Sequence, residues 1–197
     1  MPLDDAEVLR IEAAPFAVKS NWVPPGKSER FGHAAIVIHG DTDDVRKVIL
    51  DFAHYKDIVP RKFKNAHVIA KEKGQTELYM QVPIMHGMIM LWDVLRFSPI
   101  THTAEGERLE GTFVRGNVRD ANIVMTMRSA GSRRTLLTCD LLILPKVPAP
   151  QSAIDEELRD AAGDALDGIK ARVEQPSPPP PQPAPPPQPA SPPPAPG

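Results

Sequence analysis

The stretch "AAIVIHGDTDDVRKVILDFAHYKDIVP" (34–60) changes its apolar periodicity part-way along, and this change decides the fold. Its first seven residues are rich in apolar and β-branched side chains and end at a glycine, which predicts a strand. From Val45 onward apolar residues recur at spacings of three and four, which predicts a helix. We expect Asp41 or Thr42 to cap that helix, and a second short helix to end at Pro60.

Six segments with strand character follow this stretch, and turn residues separate them at hairpin spacing. The loop "SAGSRR" (129–134) is the clearest of these turns. Hairpins join antiparallel strands, whereas parallel strands would need long crossovers, so we expect an antiparallel sheet. The predicted strands are 64–74, 75–85, 87–99, 102–112, 120–131 and 133–146.

A long helix closes the domain. Ser152 with Asp155 three residues later predicts a capping box at its start. Apolar side chains then hold one face for about six turns. The simplest way to bury that face is an α+β fold, in which a curved antiparallel sheet wraps around the long C-terminal helix and two short helices follow the first strand. The predicted buried face is Ile154, Leu158, Ala161, Ala162, Ala165, Ile169 and Val173.

This order of elements, together with "ILDFAHYKDIVP" (49–60), resembles the START-like or SRPBCC helix-grip superfamily. That superfamily includes lipid-transfer domains, polyketide cyclase/dehydrases, coenzyme Q-binding proteins and pollen-allergen relatives. The resemblance covers about residues 30–174. It implies a cavity between the concave sheet face and the C-terminal helix, where many members bind a sterol, fatty acid, quinone or polyketide. The matching positions are Val45, Val48, Leu50, Asp51, Phe52, Tyr55 and Pro60.

We divide the chain into three parts. Residues 34–174 form the START-like domain, and residues 1–33 form an N-terminal extension in which "AEVLRIEA" (6–13) is a candidate extra edge strand. The stretch "NWVPPGKSERFG" (21–32) is expected to be a loop. Residues 175–197 are rich in proline and have no charge and no aromatic residue, so we expect a disordered, extended tail. Proline-recognition modules bind such tracts, so a proline-binding protein is a candidate partner.

Composition excludes several classes of function. The formal net charge is −2 with mixed signs, so no nucleic-acid partner is expected. Cys139 is the only cysteine, which excludes an internal disulfide and fits a reducing compartment. No apolar run reaches the roughly 20 residues of a membrane span. If Met1 is the native start we expect a cytoplasmic protein, and if a leader was removed a periplasmic one.

The segment "LYMQVPIMHGMIMLWDVLRF" (78–97) holds four of the seven methionines. On a strand, Met88, Met90, Trp92 and Val94 would face one way, and Ile89, Leu91, Asp93 and Leu95 the other. Because both faces are mostly apolar, both are covered or one lines a pocket. Thioethers suit a pocket for a bulky guest, although a packed core rich in methionine is the alternative. A copper site at Met85, His86 and the next methionines is a weaker alternative.

The candidate ligand-binding residues combine these apolar stripes with two polar groups. Asp93 interrupts an apolar face, and a carboxylate with a guanidinium could hold a hydroxyl or carboxyl head group. No catalytic residue, metal site or cofactor is assigned, since no zinc spacing, phosphate loop or Cys-His pair is present. The predicted cavity lining is Tyr79, Met80, Val82, Met88, Met90, Trp92, Asp93, Arg96, Met125, Met127, Leu158, Ala162 and Ala165.

Binding, and by extension transfer, of a hydrophobic small molecule is the leading hypothesis, with a sterol-like or other lipid as the first candidate. A dry pocket of ~400 Å³ would cost on the order of 10 kcal/mol, so we expect a narrow, partly wet or lipid-filled one. Entry would open the helices at 42–60 or a strand loop, with transient membrane contact. The alternatives are a cyclase/dehydrase-type enzyme that uses His86, Tyr79, Asp93 and Arg96, and an adaptor that uses the tail.

Overall fold

The structure, a computed structural model, describes residues 4–59, 63–84 and 87–175. These residues form nine strands, four α-helices and one 3₁₀ turn, and from residue 31 onward they follow the predicted order of a strand, short helices, further strands and a closing helix. The helices are α1 (Asp5–Glu12), α2 (Thr42–Ile49), α3 (Tyr55–Ile58) and α4 (Gln151–Glu174), with the 3₁₀ turn at Phe52–His54. The strands are β1 (Val18–Trp22), β2 (Phe31–Ile38), β3 (Asn65–Glu72), β4 (Gln75–Ile84), β5 (Ile89–Phe97), β6 (Thr101–Thr103), β7 (Gly106–Gly116), β8 (Val118–Ser129) and β9 (Thr135–Pro145).

The strands build one antiparallel sheet in the order β1-β2-β9-β8-β7-β5-β4-β3, with β6 paired to β7. The early strand β2 lies beside the last strand β9, so the two ends of the domain meet inside the sheet. The outermost strand β3 is irregular, because its register shifts between Val68 and Ala70. The predicted α+β class and antiparallel sheet are confirmed.

Helix α4 lies against the concave face of the curved sheet, where β2 approaches it most closely. Gly32 makes this approach possible, because a Cβ atom at that position would lie 2.3 Å from the backbone carbonyl carbon of Leu158. The predicted apolar face of α4 is buried at three positions and half-buried at the others, and sequence reasoning missed Asp155, Gly163 and Leu166. The fully buried face of α4 is Asp155, Leu158, Ala162, Gly163, Leu166 and Ile169.

The segment "AEVLRIEA" is a helix and not an edge strand. Asp4 caps α1 by accepting a hydrogen bond from the backbone N–H of Glu7 at 2.8 Å. Val8 and Ile11 are three residues apart, so both reach the convex face of the sheet, where they pack against β2. The spacing of Val8 and Ile11 and the Asp4 cap favour a helix, and this preference is stronger than that of the β-branched side chains for a strand. The extra edge strand is β1, and the short helices follow the strand at 31–38 as predicted, which is the second strand of the sheet.

The predicted helix caps are confirmed only in part. Asp41 is the N-cap residue of α2, but neither Asp41 nor Thr42 makes a side-chain capping bond with that helix. Helix α4 begins after Pro150, which places Ser152 inside the first turn instead of at the cap. Asp155 accepts hydrogen bonds from Gln151 Nε2 at 2.7 Å and from an Arg30 guanidinium nitrogen at 3.2 Å.

One predicted strand is in fact a hairpin. The segment 102–112 contains the end of β6, a turn and the start of β7. Gly106 has a φ of +129°, a backbone conformation that only glycine adopts readily, and this reverses the chain. The loop at 129–134 is a hairpin turn as predicted. Among the described residues, no helix is both long and apolar enough to cross a bilayer.

Candidate functional site between the sheet and the closing helix

The register of β4 and β5 decides which side chains face α4. Met80 is the direct partner of Asp93, and Val82 is the partner of Leu91, so these four share one face. Met80 and Leu91 belong to the buried core that includes residues of α4. The concave face of these two strands therefore carries the even positions of β4 and the odd positions of β5.

Eight of the thirteen predicted cavity residues lie on this concave side or on α4. They lie where the sequence placed them, and ligand binding by them stays a prediction. These residues are Met80, Val82, Asp93, Met125, Met127, Leu158, Ala162 and Ala165.

The other five predicted residues lie elsewhere. Met90, Trp92 and Arg96 are even positions of β5, and Tyr79 is an odd position of β4, so alternation places all four on the convex face. Met88 precedes β5 and is 75% exposed. The prediction that this stripe lines the cavity is wrong, because two apolar stripes alternate along β5 and the opposite one faces the helix.

The aromatic residues of the convex stripe have neighbours of their own. Tyr79 stacks on Trp92 with ring centroids 6.0 Å apart, and His67 lies 5.0 Å from Tyr79. The three rings form a row across β3, β4 and β5. Arg96 pairs with its cross-strand neighbour Glu77 at 2.6 Å, so it is not the partner of Asp93.

Much of the space beneath α4 is filled by the protein's own side chains. Met80, Met125 and Met127 are buried and belong to one cluster with Phe97, as the packed-core alternative proposed. Three rings continue this cluster, with Phe52 4.7 Å from Phe97 and 5.1 Å from Tyr55. The Tyr55 hydroxyl donates to the backbone carbonyl of Ile49. Tyr55 and Phe52, two positions of the family-like motif, therefore have structural roles.

A small apolar pocket, here called the end pocket, remains beneath the N-terminal half of α4. Its volume is about 40 Å³, little more than the space of one water molecule. It is narrow, as the energetic cost of a void predicts. All of its lining residues except one glutamate are apolar. They are Val82, Ile84, Leu91, Ile143, Pro145, Ala149, Ala153, Ile154, Glu157, Leu158 and Ala161.

The predicted cavity lining shares only Val82 and Leu158 with these residues, although Ile154 and Ala161 were predicted on the buried face of α4. The missed signal is the small side chains of Ala149, just before α4, and Ala153, in its first turn. The cavity prediction began from bulky methionines. The pocket instead exists where alanines leave space.

Asp93 is the most unusual polar residue of the concave face. Its side chain is 4% exposed, and its Oδ1 atom has no hydrogen-bond partner within the described residues. Burial in an apolar environment raises the pKa of Asp93 to about 7. Gly116 is its partner on β7, and a Cβ atom there would lie 3.1 Å from the Asp93 Cβ atom. An unsatisfied carboxyl group in such a place is a candidate binding or proton-transfer group.

The described ranges contain no group of three or more His, Cys, Asp or Glu side chains that could hold a metal ion. Met85 and His86 of the copper hypothesis lie outside these ranges. Cys139 is fully buried on the concave face, and burial raises the pKa of its thiol, so it is an inert core residue.

No family model matches the sequence, and no curated protein does either. Solved structures do match. A STAR-related lipid transfer protein from Xanthomonas axonopodis superposes with a TM-score of 0.64 at 12% identity, over 83% of this chain and 97% of the other. A START superfamily protein from Mycobacterium smegmatis gives 0.60 at 16% identity, over 73% and 97%. This chain has the START-type fold. The predicted resemblance is confirmed at that level.

A third START-type match is the lipid transfer and protein localization domain of human StarD13, with a TM-score of 0.58 at 13% identity over 87% of this chain and 93% of the other. At identities of 12–16%, these matches show a shared arrangement of strands and helices and do not identify a ligand. In this chain the closing helix lies over the concave sheet face, which carries Asp93 and borders the end pocket.

Proposed function

We propose that this protein binds a hydrophobic small molecule between the concave sheet face and the N-terminal half of α4. The observation that carries the proposal is the end pocket, whose wall is apolar except for Glu157. Burial of a guest's apolar surface there would be favourable by roughly 25 cal/mol per Å². Two solved structures with the same fold are described as lipid transfer proteins or domains, which supports a lipid as the guest.

The guest must widen the end pocket in order to enter. Pockets for small molecules have volumes of roughly 300–1,000 Å³, whereas the end pocket has about 40 Å³. Residues 151–161 of α4 are the movable wall. Their contacts with the rest of the chain include a hydrogen bond from Asn21 Nδ2 to the carbonyl of Asp155 at 2.9 Å and the Arg30–Asp155 ion pair at 3.2 Å. Displacement of this half of the helix is the entry route we favour, and it would break these contacts, the Lys19–Asp160 ion pair at 3.5 Å and the close packing of Leu158 on Gly32.

Asp93 would orient the guest in the widened site. It follows Leu91, a residue of the end-pocket wall, on the same face of β5. A guest with a hydroxyl group could donate a hydrogen bond to the unpaired Oδ1 atom and so relieve the cost of that buried group. This favours a lipid with a hydroxyl group, such as a sterol-like molecule, over a pure hydrocarbon.

Transfer of the guest would need contact with a membrane, and two exposed apolar side chains support this part of the proposal. Met88 lies in the β4–β5 turn and is 75% exposed, and Val147 lies between β9 and α4 and is 42% exposed. Both are close in sequence to residues that line the end pocket, Ile84 and Pro145. An apolar rim beside the opening would allow a lipid to pass without crossing water.

The test is native mass spectrometry of gently purified protein, followed by a binding assay with a panel of fluorescent lipids. We expect a co-purified lipid, or binding of at least one sterol-like or acyl probe. Ala161→Phe should fill the end pocket and abolish binding. Ala171→Phe, on an exposed position of the same helix, is the matched control and should bind as the wild type does. No bound lipid, or equal binding by both variants, would contradict the proposal.

A cyclase-type enzyme is the second candidate, and Asp93 is the observation that favours it. A buried carboxyl group with a pKa of about 7 can both donate and accept a proton at neutral pH. Asp93→Asn should then abolish turnover of a polyketide-like substrate while binding is retained. Arg96→Ala should have no effect in either case, because Arg96 lies on the convex face with Glu77. The adaptor hypothesis depends on a tail outside the described residues except for Gln175, and it stays a prediction.

A further inference from the structure

The convex face of the sheet carries a recess of about 670 Å³, far larger than the end pocket. The β1–β2 loop with its two prolines forms one side, β7 forms the other, and β9 and β8 form the floor. We call it the convex groove and define it by Trp22, Pro24, Phe31, His33, Arg108 and Thr138.

One wall of the convex groove is aromatic and held in place. Trp22 and His33 meet edge to face with centroids 6.1 Å apart. Trp22 Nε1 and His33 Nδ1 each donate to the same Asp140 oxygen at 2.7 Å. Phe31 is the cross-strand partner of Trp22 and lines the same wall. Because these bonds hold the Trp22 and His33 rings in place before anything binds, these side chains lose little conformational entropy when a guest stacks on them.

The rest of the convex groove is polar but has little net charge. Three basic and three acidic side chains line it, and one pair, Arg108 and Glu110, forms an ion pair at 3.2 Å. The floor carries the hydroxyl groups of Thr126 and Thr138. Such a surface gives no field that would select a strongly charged ligand. It suits an uncharged chain that offers apolar rings to the aromatic wall and carbonyl oxygens to polar groups.

Polyproline segments have that chemistry, and aromatic-lined grooves recognise them. The sequence contains such a segment at residues 176–197, where proline alternates only with Ala, Gln, Ser and a final Gly. It has no charge and no aromatic side chain of its own. Its chemistry therefore complements the convex groove on the same chain.

The position at which α4 ends makes the contact possible. Glu174 accepts a hydrogen bond from the backbone N–H of His39 at 2.8 Å, directly after β2. At that end of the sheet Ile38 is paired with Thr135, and the next residue, Leu136, lines the convex groove. In polyproline geometry 22 residues extend about 70 Å. The path from the end of α4 to Trp22 passes round the sheet and along β2 from Ile38 to Phe31, a run of roughly 25 Å at about 3.3 Å per residue. The segment is therefore long enough to reach the groove and run along it.

We propose that residues 176–197 dock in the convex groove of their own chain, with proline rings against Trp22 and His33. The tether provides an effective concentration near the millimolar range, so even a weak contact would be populated. A proline-binding protein would have to compete with the groove for this segment. Docking would therefore lower the apparent affinity of any such partner for the tail.

The direct test is paramagnetic NMR on the full chain. Ser191→Cys provides one site for a nitroxide label, because Cys139 is fully buried and will not react. We expect the label to broaden the amide signals of Trp22, His33 and Asp140, and to leave those of β3 unchanged. Broadening that is equal over the whole domain, or absent from the groove, would overturn the proposal.

Three variants and one mixture sharpen this test. Trp22→Ala should remove the broadening in the groove, whereas Trp92→Ala, on the other aromatic row of the convex face, should retain it. If Trp22→Ala does not fold, Thr126→Lys places a bulky charge on the groove floor and should have the same effect. In a mixture of isotope-labelled chains with separate spin-labelled chains, we expect no broadening. Broadening there would mean that the tail docks between copies, which contradicts docking within one chain.

Discussion

Asp93 on β5 and Met80 on β4 are direct cross-strand partners on the concave face, so a carboxyl group lies against a thioether in the buried interior. Neither the thioether nor the surrounding leucines can stabilise a negative charge. The carboxyl group therefore holds its proton up to about pH 7 in the folded state. In the unfolded chain it loses that proton near pH 4.

The first prediction concerns stability and pH. Between about pH 4 and pH 7 the folded protein binds one more proton at Asp93 than the unfolded chain does, so the free energy of unfolding falls as pH rises. The whole loss is on the order of 4 kcal/mol as an upper limit. Urea denaturation from pH 4 to pH 8 measures it.

Asp93→Asn is the reference for this measurement, because its side chain has no titration in that range. The difference in unfolding free energy between wild type and Asp93→Asn should move in favour of the variant as pH rises, and should then level off above pH 7. A difference that is constant across the range would show that folding does not raise the pKa of Asp93.

The second prediction concerns the Tyr55 hydroxyl, which donates to the carbonyl of Ile49 in the core. Tyr55→Phe leaves that buried carbonyl without its partner, so we expect a loss of about 1–2 kcal/mol in the free energy of unfolding. Tyr79→Phe removes a hydroxyl from the convex face and should change stability by less than about 0.5 kcal/mol. Equal effects of the two substitutions would count against the role of the Tyr55 bond.

The third prediction concerns Gly32, where α4 touches the sheet. Gly32→Ala would place a methyl group 2.3 Å from the carbonyl carbon of Leu158, and backbone cannot rotate away. We expect a destabilisation of about 1–3 kcal/mol as the helix is pushed outward. At Gly40 the nearest atom to an added Cβ is a side-chain methyl of Val173, at 2.7 Å. Gly40→Ala should therefore have the smaller effect in the same thermal or urea experiment.

The fourth prediction concerns the movable half of α4. Arg30→Ala removes the ion pair with Asp155, whose side chain is 12% exposed, so residues 151–161 should open more often. Hydrogen exchange of their amides should become about three- to tenfold faster, which corresponds to the strength of a part-exposed charged hydrogen bond. Arg159→Ala changes only looser contacts at 3.6–4.0 Å with Asp160 and Glu156, and should leave the exchange rates nearly unchanged.

The elements of this fold follow from local patterns, which is why they could be predicted. The switch from strand to helical period at Asp41, the hairpin spacings and the long apolar face of α4 each depend on neighbouring residues only. Helix α1 was misjudged because a short segment with Val8 and Ile11 fits both a strand and a helix, and only packing against β2 decides between them.

The site could be predicted only in part, since it depends on partners distant in sequence. Both stripes of β5 are apolar, so the sequence does not say whether Leu91 or Trp92 faces the helix; the pairing with β4 and the position of α4 do. Asp93 was identified because a charge in an apolar stripe is visible in the sequence. Ala149 and Ala153 were missed because their role depends on where α4 begins, two residues before the predicted cap at Ser152.

The register shift between Val68 and Ala70 affects how copies of this chain can meet. A straight outermost strand offers a row of free backbone groups onto which a neighbouring molecule can add its own strand, the first step of fibril growth. The shift twists β3 out of line, and the charged residues Lys71, Glu72 and Lys73 follow directly. This edge of the sheet is thereby a poor template for strand addition by another copy of the chain.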